Sequence, residues 1–111
     1  MQNETIRKNL VDSINEMTRL LEVCQDSNQQ FELRIKIREL FQRLDRVIVA
    51  TLESNTQDFK DAVEALQVLT KKAKEAKEEL NKVEETIDKA AEAVGKLEKL
   101  LKNVVGLISI L

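Results

Sequence analysis

From Phe59 to Leu111 an apolar side chain recurs at alternating intervals of three and four residues without a slip. One set of positions holds Phe59, Leu66, Ala73, Leu80, Ile87, Val94, Leu101 and Ile108; the other holds Ala62, Leu69, Ala76, Val83, Ala90, Leu97, Val104 and Leu111. Such spacing gathers side chains on one stripe of an α-helix and defines a coiled-coil-like seam. A strand would scatter the same residues over both of its faces. This half of the chain is therefore predicted to be helical, with a long apolar stripe that another helix must cover.

The flanks of the seam say what covers it. They are apolar early (Val63, Ala65), polar in the middle (Thr70, Lys72, Lys77, Glu79, Glu84, Thr86) and apolar again late (Ala91, Ala93, Leu100, Val105, Leu107). A wide stripe meets two or more helices and a narrow one meets a single partner, so the pattern is symmetric about residues 78–81. Two architectures share that symmetry. In one, a single helix of about 85 Å spans residues 56–110 and two chains cross antiparallel at its midpoint, each giving its last third to the other's bundle. In the other, the chain turns near Asn81 and forms a monomeric four-helix bundle. The continuous helix and swapped dimer are favoured, because residues 80–84 hold no Gly or Pro and follow the strong helix formers of residues 74–79. Asn81 and Glu84, at capping-box spacing, support the turn instead.

The first half supplies two shorter helices. Ile6, Leu10, Ile14, Met17, Leu21 and Cys24 share one face of a helix over about residues 3–25. Ser27 and Gln30 then have capping spacing, which starts a second helix near residue 28 and makes the pair antiparallel neighbours. Phe31, Leu33, Ile35 and Ile37 alternate with charged residues as in a strand, but no other stretch alternates and a lone strand has no pairing partner. Read as helix to about residue 52, this segment has a stripe of Leu33, Ile37, Leu40, Phe41, Leu44, Val47 and Ile48, with Phe31, Ile35 and Val49 on the opposite side. A helix apolar on two sides is expected to be packed on two sides. Ser54, Asn55 or Thr56 can cap the third helix.

At 111 residues the chain has room for one domain, residues 1–111. Its net charge of −2 supplies no field for nucleic acid. The basic residues Arg34, Lys36, Arg38, Arg43 and Arg46 are offset by Glu32, Glu39 and Asp45 and lack an aromatic platform, so nucleic-acid binding is not expected. Histidine is absent, which removes the commonest general base and metal ligand. Cys24, the single cysteine, lies on an apolar stripe with no base to activate it; it reads as an inert core thiol in a reducing, cytoplasmic setting. Glu75 with Glu78 and Glu85 with Asp88 resemble in spacing the Mg²⁺-binding pairs of helical nucleotide pyrophosphatases. Here the pairs are too close in sequence to face each other from two helices, and interspersed lysines make them salt-bridged solvent faces. No catalytic residue, metal or cofactor is expected. All six arginines precede residue 47, and arginine suits shared bidentate contacts, so the first half is where buried or interfacial ion pairs are anticipated.

Residues 94–111 combine Lys96, Lys99 and Lys102 with a dense apolar face, as membrane-surface helices do. A bundle helix covered on several sides explains them better. The sequence thus predicts a non-catalytic structural or protein-interaction module, a homodimer through Leu80, Val83, Ile87, Val94, Leu97, Leu101, Val104 and Ile108. A membrane-surface protein acting through residues 94–111 is the alternative, and the sequence does not name a hetero-partner.

Overall fold

In the structure, a computed structural model describing the backbone of residues 2–110 and the side chains of residues 4–102, the chain forms four helices. They are α1 (Gln2–Val23), α2 (Ser27–Val49), α3 (Gln57–Glu78) and α4 (Val83–Ile110), with a single 3₁₀ turn at Leu80–Lys82 before the last. The all-α reading holds, including the alternating segment 31–37, which is helical.

The continuous helix over 56–110 does not form. Glu79 leaves the helical region at φ −132°, ψ 93°, and the backbone N–H of Lys82 donates to the Glu79 carbonyl at 2.9 Å to close the turn. Local helix propensity near residue 80 is overridden by burial. A straight helix would leave the second half of its stripe in water, whereas folding back buries Val83, Ile87, Ala90, Val94, Leu97 and Leu101. Covering that many side chains is worth on the order of 10 kcal/mol, more than the few tenths per residue that propensity supplies. The Cα trace measures 48 × 21 × 17 Å, far shorter than the 85 Å rod expected of one helix.

Cross-helix contacts fix the directions. Ser13 meets Leu66 and Thr70 while Glu16 meets Lys77, so α1 and α3 run parallel. Gln29 meets Glu84 while Arg46 meets Glu98, so α2 and α4 also run parallel. Lys72 with Glu85 and Lys99 with Asp58 make α3 and α4 antiparallel. Each helix touches two others in the cyclic order α1, α2, α4, α3. Since α2 and α3 lie diagonally opposite, residues 50–56 cross the end of the bundle, and Leu52 from this crossover is buried there.

Caps set the helix starts. The Asp26 side chain accepts from the backbone N–H of Gln29 at 2.9 Å, taking the role that Ser27 was expected to play. Gln30 turns back to donate from Nε2 to the Cys24 carbonyl at 2.6 Å. Thr56 accepts from the N–H of Phe59 at 3.3 Å, one of the three caps anticipated for α3. The second helix ends at Val49 rather than near 52, because Leu52 must leave the helix to reach the core.

Replacing Leu52 by Ala is expected to lower the unfolding free energy by about 2–4 kcal/mol, since a cavity would remain at the crossover. Urea denaturation monitored by circular dichroism measures it.

Candidate interaction surface

The core takes its side chains from every helix: Ile6, Leu10, Met17 and Leu20 from α1, Leu33, Leu40 and Val47 from α2, and the seam residues of α3 and α4. Small residues line the seam at Ala62, Ala73, Ala76 and Ala90 and its flank at Ala93, all fully buried, which lets the helices approach closely. Of the residues predicted to form an interface between chains, Val83, Ile87, Val94, Leu97 and Leu101 are buried by this chain's own helices. Leu80 sits at the turn and is exposed. The side chains of Val104 and Ile108 lie outside the described residues.

The buried hydroxyls and Glu16 find partners inside the bundle, whereas Arg43 Nε and Glu75 Oε1 are buried without a hydrogen bond. The Ser13 and Thr70 hydroxyls are 2.8 Å apart and each lies 3.0 Å from the Leu66 carbonyl oxygen. The Thr86 hydroxyl is 3.2 Å from the carbonyl oxygens of Lys72 and Lys82, tying α4 back to α3 just beyond the turn. Glu16, 8% exposed, accepts from Lys77 Nζ and Arg19 Nη1, both at 2.6 Å. The Lys77 hydrogen bond holds the Glu16 carboxyl below the ordinary carboxylate range against the opposing effect of burial.

At the turn end of α3 and α4, Lys72 lies 2.9 Å from Glu85 and 3.6 Å from Glu75. The hydrogen bond to Glu85 raises the Lys72 pKa, and the same bond lowers that of Glu85. The turn thus overturns one expectation, since it brings Glu75 on α3 and Glu85 on α4 together from two neighbouring helices despite their closeness in sequence; the expected salt bridging holds, because Lys72 lies between them. Among the described residues no three His, Cys, Asp or Glu side chains are grouped to hold a metal ion. Cys24 is 4% exposed, and its sulfur lies 3.8 Å from the Asp26 carbonyl oxygen. An open groove of about 700 Å³ between α3 and α4 is lined by Asp61, Glu64, Glu92, Lys89, Lys96 and Lys99, whose charges offset one another.

The outer side of α2 is different in kind. Its exposed large apolar residues are Phe31 (62%), Phe41 (49%), Ile48 (54%), Val49 (83%) and Ile35 (36%). Phe31, Ile35 and Val49 were expected on a second apolar side, whereas Phe41 and Ile48 were expected in the core stripe. They join the outer side because the inward arc of α2 is taken by Leu33, Leu40 and Val47, with Ile37 and Leu44 packed against the core beside them. The arginines divide in the same way. Arg43 and Arg46 face α4 and share Glu98 at 3.5 and 2.7 Å. Arg34, Arg38 and Asp45 lie outward and exposed, with no ion pair among the described residues.

No family model, curated protein or solved structure matches the chain. Among the described residues, no helix is long and apolar enough to cross a membrane.

Glu16→Gln is expected to cost about 1–3 kcal/mol near neutral pH, because two charge-assisted bonds at a nearly buried site are weakened. The folded-state pKa of Glu16 is depressed, so its contribution is present above the unfolded-state value and lost as pH falls through the folded-state one. Urea unfolding of both proteins across the acidic range should show the gap between them closing on acidification.

Proposed function

We propose that this chain is a non-catalytic protein-interaction module that works by helical self-association, with a second copy of itself as partner. The observation that carries the reading is the outer side of α2. A four-helix bundle needs one apolar stripe per helix, and α2 carries another that stays exposed among the described residues. Single exposed apolar residues are ordinary on protein surfaces; five on one side of one helix mark a contact surface. The buried lone Cys24 supports a reducing, cytoplasmic setting for the module.

Exchange of α4 between two chains is another route to a dimer. It would make the seam contacts of Val83, Ile87, Val94, Leu97 and Leu101 between chains instead of within one, with Glu79–Lys82 as the hinge. The closed turn at Glu79 favours the fold-back form, which also avoids the entropy lost on association. The membrane-surface reading of residues 94–111 is disfavoured for its described part, since Val94, Leu97, Leu100 and Leu101 are used in the core.

Light scattering or sedimentation over a range of concentrations tests the proposal. The chain is expected to form a reversible dimer that Phe31→Asp with Ile48→Asp abolishes while leaving helix content unchanged. Inserting Gly-Gly-Ser-Gly after Asn81 is expected to leave the dimer intact; a fall to monomer would instead identify exchange of α4. A monomer at every concentration would refute self-association, and flotation with liposomes would then favour the membrane surface.

A further inference from the structure

The exposed residues of α2 follow a register of their own. Phe31, Arg38 and Asp45 occupy one heptad position, Arg34, Phe41 and Ile48 another, and all six are exposed. In an antiparallel pair of identical helices, a residue a given distance before the two-fold axis faces one the same distance after it. With the axis between residues 39 and 40, Phe31 meets the partner copy's Ile48, Arg34 its Asp45, and Arg38 its Phe41. Every layer is then complementary: apolar on apolar, cation on anion, cation on an aromatic ring. Ile35 and Val49 lie one position further round the same side, where they widen the apolar contact.

We infer that two copies of this chain associate through antiparallel packing of α2 on α2 about a two-fold axis between residues 39 and 40. The inference rests on the self-association proposed above and specifies its surface, direction and register. Charge complementarity commits the face to a second copy running antiparallel. In a parallel pair, Arg34 would face Arg34, Arg38 would face Arg38 and Asp45 would face Asp45, three repulsive layers. In the antiparallel pair Arg34 and Asp45, which have no ion pair among the described residues, meet each other twice, and Arg38 meets an aromatic ring. One helix face with polar layers buries an area near the low end of specific interfaces, so the association is weak and reversible, on the order of micromolar or weaker.

Charge exchange tests the register, using the full chain and sedimentation equilibrium at low ionic strength. Each single substitution, Arg34→Glu or Asp45→Arg, places like charges together at two symmetry-related sites and is expected to weaken the dimer about tenfold or more. The double variant Arg34→Glu with Asp45→Arg restores opposite charges across the axis and should recover most of the lost affinity. Recovery is a readout that general damage to α2 would not produce. If the unmodified chain is a monomer even at millimolar concentration, the self-association reading fails and the register with it. If it dimerises but the single variants do not weaken the dimer, or the double variant does not recover, self-association stands and the antiparallel α2 register is overturned.

Discussion

The turn at Glu79–Lys82 is the constraint on which the rest of the bundle depends. It lets the two halves of one heptad stripe cover each other, so that Ala73 and Ala76 before the turn and Val83, Ile87 and Ala90 after it belong to one core within one chain. Once α3 and α4 lie antiparallel, α1 and α2 have two helices on which to lay their own stripes. The fully buried hydroxyl of Ser13 ties α1 to α3, and that of Thr86 ties α4 to α3 beside the turn. A buried hydroxyl without an acceptor costs more than the bond returns, so these positions favour one packing over neighbouring registers.

Charge is divided by the same geometry. Residues at the helix boundaries pair across them: Arg43 and Arg46 with Glu98, Lys77 with Glu16, Lys72 with Glu85. Arg34, Arg38 and Asp45 on the outer side of α2 have no ion pair among the described residues. The contrast lies within a single helix, since Arg38 and Arg43 are five residues apart and meet different surroundings. It is this difference in surroundings, not composition, that separates structural arginines from those available to another molecule.

Much of the fold was legible in the sequence: all-helical structure, the seam residues of α3 and the described ones of α4, the position of the first turn and Thr56 among the possible caps of α3, whereas on α1 Leu20 is more deeply buried than the expected Leu21. The break in the long helix was legible only as an alternative. Propensity near Asn81 argues for helix, and the opposing argument, that half the stripe would otherwise stay wet, needs the whole fold to be weighed. Leu80 shows the cost of following the register alone, since the turn places it at the surface. Leu52 could not have been assigned to the core from periodicity because it lies outside any helix. The second apolar side of α2 was legible at Phe31, Ile35 and Val49, but its breadth was not. Phe41 and Ile48 sit at the edge of the inward arc, and which way such residues turn depends on where α1 and α4 stand, which no local pattern specifies.

The diagonal path of residues 50–56 bears on how the chain is assembled. Because α2 and α3 do not touch, α3 joins the core on α1 and not on the helix that precedes it. The α1–α2 hairpin is made first and keeps Ile6, Leu10, Met17 and Leu33 only partly covered until α3 and α4 follow, on the order of several seconds at usual rates of synthesis. Both hairpins are built from contacts close in sequence and form quickly; their docking is the step that waits for the ribosome. In that interval the nascent hairpin is sticky on its core side and on the outer side of α2 at once, and the arrival of α3 and α4 removes only the first.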